Sequence, residues 1–410
     1  MLTLHLAEVV LPVVQPPIEG GAVAVDGDRV AWVGPRRDWT GSARRVEWPG
    51  VLLPGLVNAH CHLQYTAYAD MCVAGVDFLD WLGLFALRNR AMTENGWRVS
   101  AADGVAELLR TGTTAVADVA ANGAAVDAAA ELGGISYVEA VGADQANWAG
   151  RRQALLDVLD RPTARRTGIS PHTLYTLGTG VLRDCVRTAR QRNVRLHPHA
   201  AESPYEVEYV ATGTGPFALA NERWGLAMEL VVAGGSKRSP VAELAAAGAL
   251  GPDVHVAHGV HCDAADRATL RGHRTAVALC PRSNRTLGVG EPPVAAYRAE
   301  GSPVAVGTDS RASARSLDLL ADLALLKRIA LDQGSPAEGL DRWLVEAATL
   351  GGARAMGLAG TGSLRDGSRA DLAVLDVPAG DDPYAAVTGA AGRCVGTVLG
   401  GRIVHDVVHG

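Results

Sequence analysis

Lysine and aromatic residues are scarce in this chain of 410 residues. Of its 38 lysine and arginine residues only Lys237 and Lys327 are lysine, and aromatic residues make up 5%. The basic residues form no continuous run, and the formal net charge is −6. Nucleic acids and anionic membranes bind proteins through concentrated basic surfaces, which this composition does not provide. We therefore expect a small-molecule ligand, and neither a nucleic-acid partner nor a membrane partner.

Paired cysteines and long apolar segments are also missing. The six cysteines include no C-x-x-C pair, which argues against both a thiolate zinc site and a disulfide framework. No apolar run reaches the roughly 18 residues of a membrane-spanning helix. Residues 1–8 lack the basic and apolar regions of a signal peptide. The sequence therefore predicts a cytoplasmic protein, and its hydrophobic content of 48% predicts a folded one.

The two ends of the chain share a pattern of short strands. Residues 20–33 form a hairpin pattern around a turn at 26–29, and residues 371–404 contain similar strands joined by glycine-rich turns. Both ends differ from the middle of the chain. We therefore expect residues 1–50 and 356–410 to form one small β-sandwich domain together.

The middle of the chain, residues 51–355, alternates short β-branched runs with stretches of helical period. Eight strand candidates with helices between them favour a closed (β/α)₈ TIM barrel of the α/β class over an open sheet. In such barrels the chemistry lies at the C-terminal ends of the strands. The eight candidates are residues 50–57, 113–119, 135–141, 168–174, 194–199, 254–258, 275–279 and 303–307.

Histidine and acidic residues collect at the ends of these predicted strands. His60 and His62 follow the first, and alternate side chains of an extended chain face the same way, so both imidazoles can reach one point. A single such residue is most simply an ordinary polar group at a loop entrance. Four of eight strands ending in this way favour a shared metal site. The remaining members are His199 with Glu202 three residues later, His258 and Asp309.

Several short motifs together resemble the amidohydrolase superfamily, in its branch of mononuclear metal-dependent deaminases and chlorohydrolases. The resemblance extends over essentially the whole chain, including the split sheet domain. The motifs are PGLVNAHCH at 54–62, SPH at 170–172, HAAE at 199–202, AHGVH at 257–261, CPRSN at 280–284 and GTDS at 307–310.

The resemblance implies a role for each strand-end residue. One divalent metal would be bound by four ligands, with zinc first and iron also compatible. Such a metal makes hydroxide available near neutral pH, and Asp309 would take the proton of the water. Glu202 would protonate the ring nitrogen and then pass a proton to the leaving group, while His258 orients the attacking water. The implied metal ligands are His60, His62, His199 and Asp309.

The scarcity of lysine has a chemical consequence within this superfamily. Its binuclear members bridge two metals with a carbamylated lysine at the end of the fourth strand. Here the fourth run ends in Pro171-His172, and no lysine lies between residues 62 and 199. Neither of the two lysines of the chain lies at a predicted strand end. The sequence therefore favours the mononuclear, deaminase-type chemistry.

Residues beyond the metal motifs bear on the substrate, because this branch acts on several classes of ring. Gln64 follows the first motif, and its amide could donate and accept hydrogen bonds at a ring edge. Residues 78–82 resemble the loop in which S-adenosylhomocysteine and methylthioadenosine deaminases hold the ribose diol. By that resemblance Asp80, one methylene shorter than the usual glutamate, binds the diol, and His172 contacts the nucleoside. Trp81 is either a substrate wall or a packing residue.

A second resemblance narrows the substrate. Residues 202–243 are similar to deaminases of 6-aminodeoxyfutalosine in menaquinone biosynthesis. That substrate is an adenine nucleoside with an aromatic carboxylate on its 5′ side. Arg282 either pairs with this carboxylate or makes an ordinary contact beside the seventh strand. The insertion at 203–240 is either a lid over the barrel mouth or a set of surface helices.

The function predicted from the sequence is hydrolytic deamination of an adenine nucleoside, with 6-aminodeoxyfutalosine as the first candidate. The nearest alternative is deamination of S-adenosylhomocysteine, methylthioadenosine or another purine or pyrimidine. A chlorohydrolase or cyclic-amide hydrolase of the same superfamily is a further alternative. A barrel that only binds a ligand is disfavoured, because the metal ligands and Glu202 are all present. Relatives often form dimers or larger assemblies, but the sequence assigns no interface.

Overall fold

The computed structural model describes residues 2–410. The strands, numbered in chain order, are β1 (Thr3–Leu6), β2 (Val9–Val10), β3 (Ile18–Glu19), β4 (Gly21–Asp26), β5 (Arg29–Pro35), β6 (Arg44–Glu47), β7 (Val51–Pro54), β8 (Leu56–Cys61), β9 (Thr113–Ala120), β10 (Gly133–Ala140), β11 (Arg166–Pro171), β12 (His199–Ala200), β13 (His255–His258), β14 (Ala276–Leu279), β15 (Val304–Val306), β16 (Leu372–Leu375), β17 (Cys394–Leu399) and β18 (Arg402–Asp406).

The helices are numbered in the same way. They are α1 (Phe78–Ala91), α2 (Glu94–Arg110), α3 (Gly123–Ala128), α4 (Trp148–Leu159), α5 (Thr179–Arg192), α6 (Pro204–Thr212), α7 (Pro216–Trp224), α8 (Glu229–Ala233), α9 (Pro240–Ala246), α10 (Ala264–Gly272), α11 (Pro281–Thr286), α12 (Val294–Ala299), α13 (Leu319–Asp332), α14 (Leu340–Glu346), α15 (Gly352–Ala355) and α16 (Pro383–Thr388). Short 3₁₀ segments at Arg36–Asp38 and Leu63–Met71 and a π-helical turn at Ala347–Gly351 are also present.

Eight parallel strands form the middle of the molecule. They pair as two four-stranded sheets, β8–β9–β10–β11 and β12–β13–β14–β15. Isolated parallel bridges join the two sheets at both edges. At one edge Ile169 pairs with Leu196, which pairs with Val254, and at the other Cys61 pairs with Asp309. The strands therefore form a closed ring with helices between them, which confirms the predicted (β/α)₈ barrel.

The helices bury one apolar face each against this ring. In α5, Val181, Cys185 and Ala189 recur every fourth residue and are fully or almost fully buried, as expected for an amphipathic helix. The helix ends at Asn193, whose left-handed backbone (φ 52°) asparagine tolerates. Within residues 2–410, no helix combines the length and the apolarity needed to cross a bilayer.

The predicted first barrel strand, residues 50–57, is in fact two strands in different sheets. β7 pairs with β16, with Leu53 opposite Ala373, whereas β8 begins the barrel. Gly55 separates the two strands, and a Cβ atom at this position would lie 2.1 Å from Oγ1 of Thr114. Only glycine lets the chain pass so close to β9, so the change of sheet occurs at this residue.

Both ends of the chain build two further sheets. One has the order β5–β4–β1–β6, and the other, β18–β17–β16–β7–β2–β3, interleaves N-terminal and C-terminal strands. Val23 and Val46 of the first sheet pack with Leu52, Val374 and Val398 of the second in one buried cluster. This arrangement confirms a β-sandwich built from both termini. The domain boundaries after residues 50 and 355 remain a prediction, and β7 lies within the sandwich.

Candidate active site

Four barrel strands bring ionisable side chains together at their C-terminal ends. His60 belongs to β8 and His62 directly follows it, His199 belongs to β12, His258 ends β13, and Asp309 lies three residues after β15. Ligand atoms of His60, His62 and His199 lie within 4.8 Å of one another. The same holds for a second group of His60, His258 and Asp309. All five side chains are buried, so the residues that the sequence singled out for metal binding meet at one place.

The two oxygens of Asp309 have different surroundings. Oδ2 accepts hydrogen bonds from Oγ of Ser283 (2.6 Å) and Oγ of Ser313 (3.1 Å). Oδ1 lies 3.7 Å from Nε2 of both His60 and His62. Because the two serines hold one oxygen, the other remains directed at the histidines. The carboxylate is thus oriented to offer a single oxygen to the site.

A chain of hydrogen bonds sets the tautomer of His60. Nδ1 of His197 lies 2.9 Å from the carbonyl oxygen of His255, so this nitrogen donates and carries the proton. With a neutral ring, Nε2 of His197 must then accept from Nδ1 of His60, at 2.8 Å. The Nε2 atom of His60 is left with a free lone pair that faces the site. This is the second-partner arrangement by which proteins orient metal-binding histidines.

Burial keeps the imidazoles of the site neutral. It lowers the pKa of His60 and His199 well below 6.5, with further lowering by the neighbouring histidines, and it also lowers the pKa of His62. Neutral imidazole is the form that binds metals. Nε2 of His60 is buried and has no hydrogen-bond partner anywhere in residues 2–410, a deficit that a cation would remove. The donor set therefore fits one zinc or iron ion.

Glu202 lies beside the histidines and is almost fully buried. Its Oε1 atom is 3.6 Å from Nε2 of His258. Burial, reinforced by the carboxyl groups of Asp309 and Glu206, raises its pKa well above 4.5. Oε2 of Glu206 accepts the backbone N–H of Glu202 at 2.8 Å, which fixes the position of this residue. A carboxyl group whose pKa is raised in this way is suited to act as a general acid.

His258 is held as a hydrogen-bond donor toward the same point. Nδ2 of Asn284 donates to its Nδ1 at 3.1 Å, so the ring proton is on Nε2. Burial lowers the pKa of His258 to about 4, which keeps the ring neutral. The Nε2–H group lies on the side of Glu202. This geometry suits the predicted role of orienting an attacking oxygen.

Backbone strain is concentrated at these strand ends. Ala201, His258 and Asp309 have left-handed backbones, with φ of 53°, 73° and 59°. Such conformations cost residues other than glycine about 1–3 kcal/mol each and occur preferentially at functional sites. The strain turns His258 and Asp309 inward at the points where their strands end.

A cavity of about 650 Å³ opens above this cluster. We call its three parts the floor, the wall and the rim. The floor consists of His62, His199, Glu202, His258 and Asp309. The wall consists mainly of Tyr65, Phe78, Trp81, Phe85, Glu139, His172 and Tyr175. The rim carries three exposed arginines, Arg90, Arg151 and Arg223. The cavity thus changes from buried imidazoles to aromatic rings to exposed positive charge.

Two of the predicted substrate residues lie at this cavity. Trp81 is buried in the wall, and its Nε1 atom has no hydrogen-bond partner in the part of the chain that the structure describes. His172 lies opposite, with Nδ1 2.9 Å from Oγ1 of Thr176. Both side chains are placed to contact a ligand. Their role as substrate-binding residues remains a prediction.

Gln64 does not reach the cavity, which corrects its predicted role. Its side chain is completely buried, and its Oε1 atom accepts the backbone N–H of Ala121 at 2.7 Å. Its backbone carbonyl accepts from Oγ of Ser100 at 2.7 Å. The residue thus joins the segment after β8 to the end of β9. An amide used in this way is not available at the edge of a substrate ring.

Asp80 also lies away from the cavity. It is exposed in the first turn of α1, where Oδ1 of Asp77 caps its backbone N–H at 3.4 Å. The helix turns another stripe toward the cavity, namely Phe78, Trp81, Leu82, Phe85, Ala86, Asn89 and Arg90. Successive residues of a helix point about 100° apart, so a helix that presents Trp81 inward turns Asp80 outward. The predicted contact of Asp80 with a ribose diol is therefore wrong.

Arg282 is committed to the protein itself. Its Nη2 atom lies 2.7 Å from Oδ2 of Asp322, and its Nε atom lies 3.0 Å from the same oxygen. Further bonds join it to the hydroxyl and carbonyl of Ser316 and the carbonyl of Asp318, at 2.9–3.0 Å. Of the two predictions for Arg282, the structural contact is correct and the pairing with a substrate carboxylate is wrong.

The sequence analysis missed several residues that build the site. Ser283 and Asn284 lie in the motif at 280–284, but nothing in the sequence predicts their bonds to Asp309 and His258. His197 forms an H-x-H pair with His199. This spacing does not distinguish His199, which faces the metal site, from His197, which supports His60 through a hydrogen bond. Glu139 could have been found from the alternation of its strand, because Tyr137 and Glu139 are two residues apart and therefore face the same side. The three rim arginines lie on or next to different helices and share no motif.

The comparisons with known proteins agree on one family. The model of the amidohydrolase family matches residues 51–404. The chain is 35% identical to the 5-methylthioadenosine/S-adenosylhomocysteine deaminase of Halobacterium salinarum over 382 residues, which cover 88% of this chain and 81% of that protein.

Solved structures with the same fold include two deaminases. The adenosine deaminase of Xanthomonas campestris with bound zinc has a TM-score of 0.82 and 23% identity, over 98% of this chain and 93% of that one. The aminofutalosine deaminase of Helicobacter pylori has a TM-score of 0.85 and 20% identity, over 98% of this chain and 100% of that one. At these identities the likeness establishes the fold.

Proposed function

The chain belongs to the amidohydrolase family, and from that premise we propose that it is a deaminase of adenine nucleosides that bear a negatively charged group on the 5′ side. The family and the named relatives make it a metal-dependent hydrolytic enzyme. The observation on which the proposal depends is the floor of the cavity. There a cluster of imidazoles and one carboxylate adjoins a second carboxyl group, that of Glu202, whose pKa is raised by burial.

The floor residues divide the proton transfers of a hydrolytic deamination between them. A divalent metal, for which we propose zinc, supplies the Lewis acidity that makes water nucleophilic near neutral pH. His60, His62, His199 and Asp309 would hold it. Oδ1 of Asp309, the oxygen free of the serines, accepts a proton from the attacking water.

Glu202 and His258 act on the substrate side of the same reaction. Glu202, in the acid form that its raised pKa favours, donates its proton to the ring nitrogen next to the carbon that is attacked. His258 donates a hydrogen bond from Nε2 to the oxygen that adds. The C–N bond to the exocyclic amine then breaks, and the amine leaves as ammonia with the proton that Asp309 took from the water. The proton of the added hydroxyl group passes to Glu202 as the carbonyl forms. Water and an aminopurine thus give ammonia and an oxopurine.

The rim supports a negatively charged substituent on the nucleoside. Arg90, Arg151 and Arg223 come from three separate segments and all line the mouth of the cavity. A guanidinium binds a carboxylate through two parallel hydrogen bonds. The rim therefore takes the role that the sequence gave to Arg282. It favours 6-aminodeoxyfutalosine, our first candidate, and S-adenosylhomocysteine, our second, over uncharged methylthioadenosine.

An ammonia-release assay tests the proposal. The zinc-loaded chain is assayed with 6-aminodeoxyfutalosine, S-adenosylhomocysteine, methylthioadenosine, adenosine, guanine and cytosine. We expect activity on the adenine nucleosides, with the highest kcat/KM for one that bears a carboxylate. Activity confined to guanine or cytosine, or none at all, would overturn the assignment. Equal kcat/KM for charged and uncharged nucleosides would overturn the role of the rim alone.

A further inference from the structure

Glu139 is an acidic side chain of the cavity that the reaction above does not use. It is the next-to-last residue of β10, the third strand of the barrel. Three acidic residues are among those that line the cavity, Glu139, Glu202 and Asp309. The other two are assigned to proton transfer and metal binding. The role of Glu139 therefore has to be inferred from the groups that its side chain faces.

The alternation of β10 turns Glu139 into the barrel. The ring of Tyr137, two residues earlier, lies inside, with its centroid 5.1 Å from that of His197 and 5.5 Å from that of His255. Side chains two residues apart on a strand face the same side. Glu139 thus projects inward one layer above Tyr137, at the level where the cavity begins.

The carboxyl group of Glu139 has no partner within the protein. It makes no hydrogen bond or ion pair with other residues of the described range, 2–410, and burial raises its pKa to about 8, helped by repulsion from Asp309 and Asp118. Asp118 itself accepts bonds from the backbone N–H of Leu63 and from Ser136. An unpaired, largely buried carboxyl group is costly, and such groups occur mainly where a ligand completes them.

Glu139 lines the cavity together with residues of the floor and of the wall. It is close enough to Asp309 of the floor for their charges to interact, and it also raises the pKa of Tyr65 and Tyr175 in the wall. The arginines lie further out, exposed at the rim. A nucleoside with its base on the floor and a charged 5′ group at the rim would place its sugar between the two, next to Glu139.

We propose that Glu139 binds the ribose of the substrate, its two carboxylate oxygens accepting hydrogen bonds from the 2′- and 3′-hydroxyl groups. This inference rests on the proposed function. In its ionised form the carboxyl group offers two acceptors to the two donors of a vicinal diol. Hydrogen bonds to that form favour it, so binding of the diol lowers the pKa from its raised value in the free protein. Asp80, the residue expected to do this from sequence, is exposed on the outer side of α1. A cationic group is the less suitable partner for Glu139, because three arginines surround the entrance.

The test compares ribose and deoxyribose substrates in matched variants. Wild type, Glu139→Ala, Glu139→Gln and the control Asp80→Ala are loaded with zinc and assayed on adenosine, 2′-deoxyadenosine and 3′-deoxyadenosine. The best substrate of the earlier panel and its deoxy forms are assayed in parallel. We expect wild type and Asp80→Ala to prefer the diol by about 10- to 100-fold in kcat/KM, the range for hydrogen bonds to a charged group.

In Glu139→Ala we expect this preference to disappear. Activity on the diol should fall most, and activity on each monodeoxy substrate, which keeps one hydroxyl group, should fall less, so that the values converge. A circular-dichroism spectrum and a Tm like those of wild type show that the variant is folded. Glu139→Gln, with one acceptor oxygen, should keep an intermediate preference. An unchanged ratio in Glu139→Ala, or its loss in Asp80→Ala, would overturn this inference while leaving the deaminase intact. A wild type inactive on every nucleoside would overturn the proposed function, and this inference with it.

Discussion

The floor and the wall of the cavity are held in place by different means. The floor residues lie at the ends of barrel strands. Ser283 fixes one oxygen of Asp309, Asn284 fixes one ring nitrogen of His258, and Glu206 holds the backbone N–H of Glu202. Nδ1 of His62 and of His199 has no hydrogen-bond partner within residues 2–410. The wall and rim are built from side chains of the 3₁₀ segment Leu63–Met71, α1, β10, α4, α7 and the segment after β11. Part of the floor is thus held by polar neighbours at strand ends, whereas the wall and rim combine side chains from many separate elements.

Glu202→Gln tests the floor and should have the largest effect on turnover. The amide keeps the shape of the side chain but cannot donate an acidic proton. We expect kcat to fall by about 10²- to 10⁴-fold, the usual worth of general acid catalysis, with one metal per chain retained. Steady-state kinetics and elemental analysis of the same sample provide the measurement. Glu208→Gln, exposed on α6, is the control. Near-wild-type turnover in Glu202→Gln would show that Glu202 is not the general acid.

Arg282→Ala tests the claim that this arginine belongs to the scaffold. Its removal leaves the fully buried carboxylate of Asp322 without its charge partner. Breaking a buried pair on one side costs about 3–5 kcal/mol of unfolding free energy. Denaturant unfolding should detect this loss, and the ratio of kcat/KM for charged and uncharged nucleosides should not change. A stable variant with an altered ratio of kcat/KM for charged and uncharged nucleosides would indicate that Arg282 binds the substrate.

Arg151→Ala tests the rim. We expect the opposite of Arg282→Ala, namely a changed substrate preference with little change in stability. The side chain is exposed, so we expect little change in stability and a rise in KM for carboxylate-bearing nucleosides of up to about tenfold. KM for adenosine should stay the same. The effect should shrink as the ionic strength rises, because exposed charges are screened. A change of kcat on all substrates alike would instead connect this arginine with the floor.

Glu206→Gln should have the smallest effect, a shift in the pH dependence of kcat/KM. The acid form of Glu202 is the active one, so kcat/KM should be lost as pH rises through its pKa. The carboxyl group of Glu206 is one of the causes that raise this pKa. An uncharged glutamine can still accept the N–H of Glu202, and the alkaline limb should move to lower pH. An unmoved limb, or one displaced upward, would contradict the assignment of Glu202.

The sequence allowed most of the floor to be predicted and little of the wall. His60, His62, His199, Glu202, His258 and Asp309 each lie in a short motif at a strand end, where periodicity and residue type coincide. The barrel and the sandwich from both termini could be predicted because their strands and helices follow the expected residue periodicity. The first barrel strand was misplaced because an apolar run does not reveal that the chain changes sheets at Gly55.

The failures in the wall have a common physical cause. Arg282 lies forty residues from Asp322, and no local pattern records their contact. Asp80 could be excluded only once the phase of α1 was known from its packing. Glu139 and the rim arginines acquire a role from the cavity they share. Residues that act through long-range packing are therefore invisible to motifs, whether they belong to the scaffold, as Arg282 does, or line the cavity, as Glu139 does.

The central claim is that the floor holds a single metal ion, and anomalous diffraction from crystals of the zinc-loaded chain tests it most directly. We predict one ion at about 2.0–2.1 Å from Nε2 of His60 and from one ring nitrogen each of His62 and His199, with Oδ1 of Asp309 as the carboxylate ligand. Two ions at the floor, or one ion bound elsewhere with Nε2 of His60 still without a partner, would contradict the account.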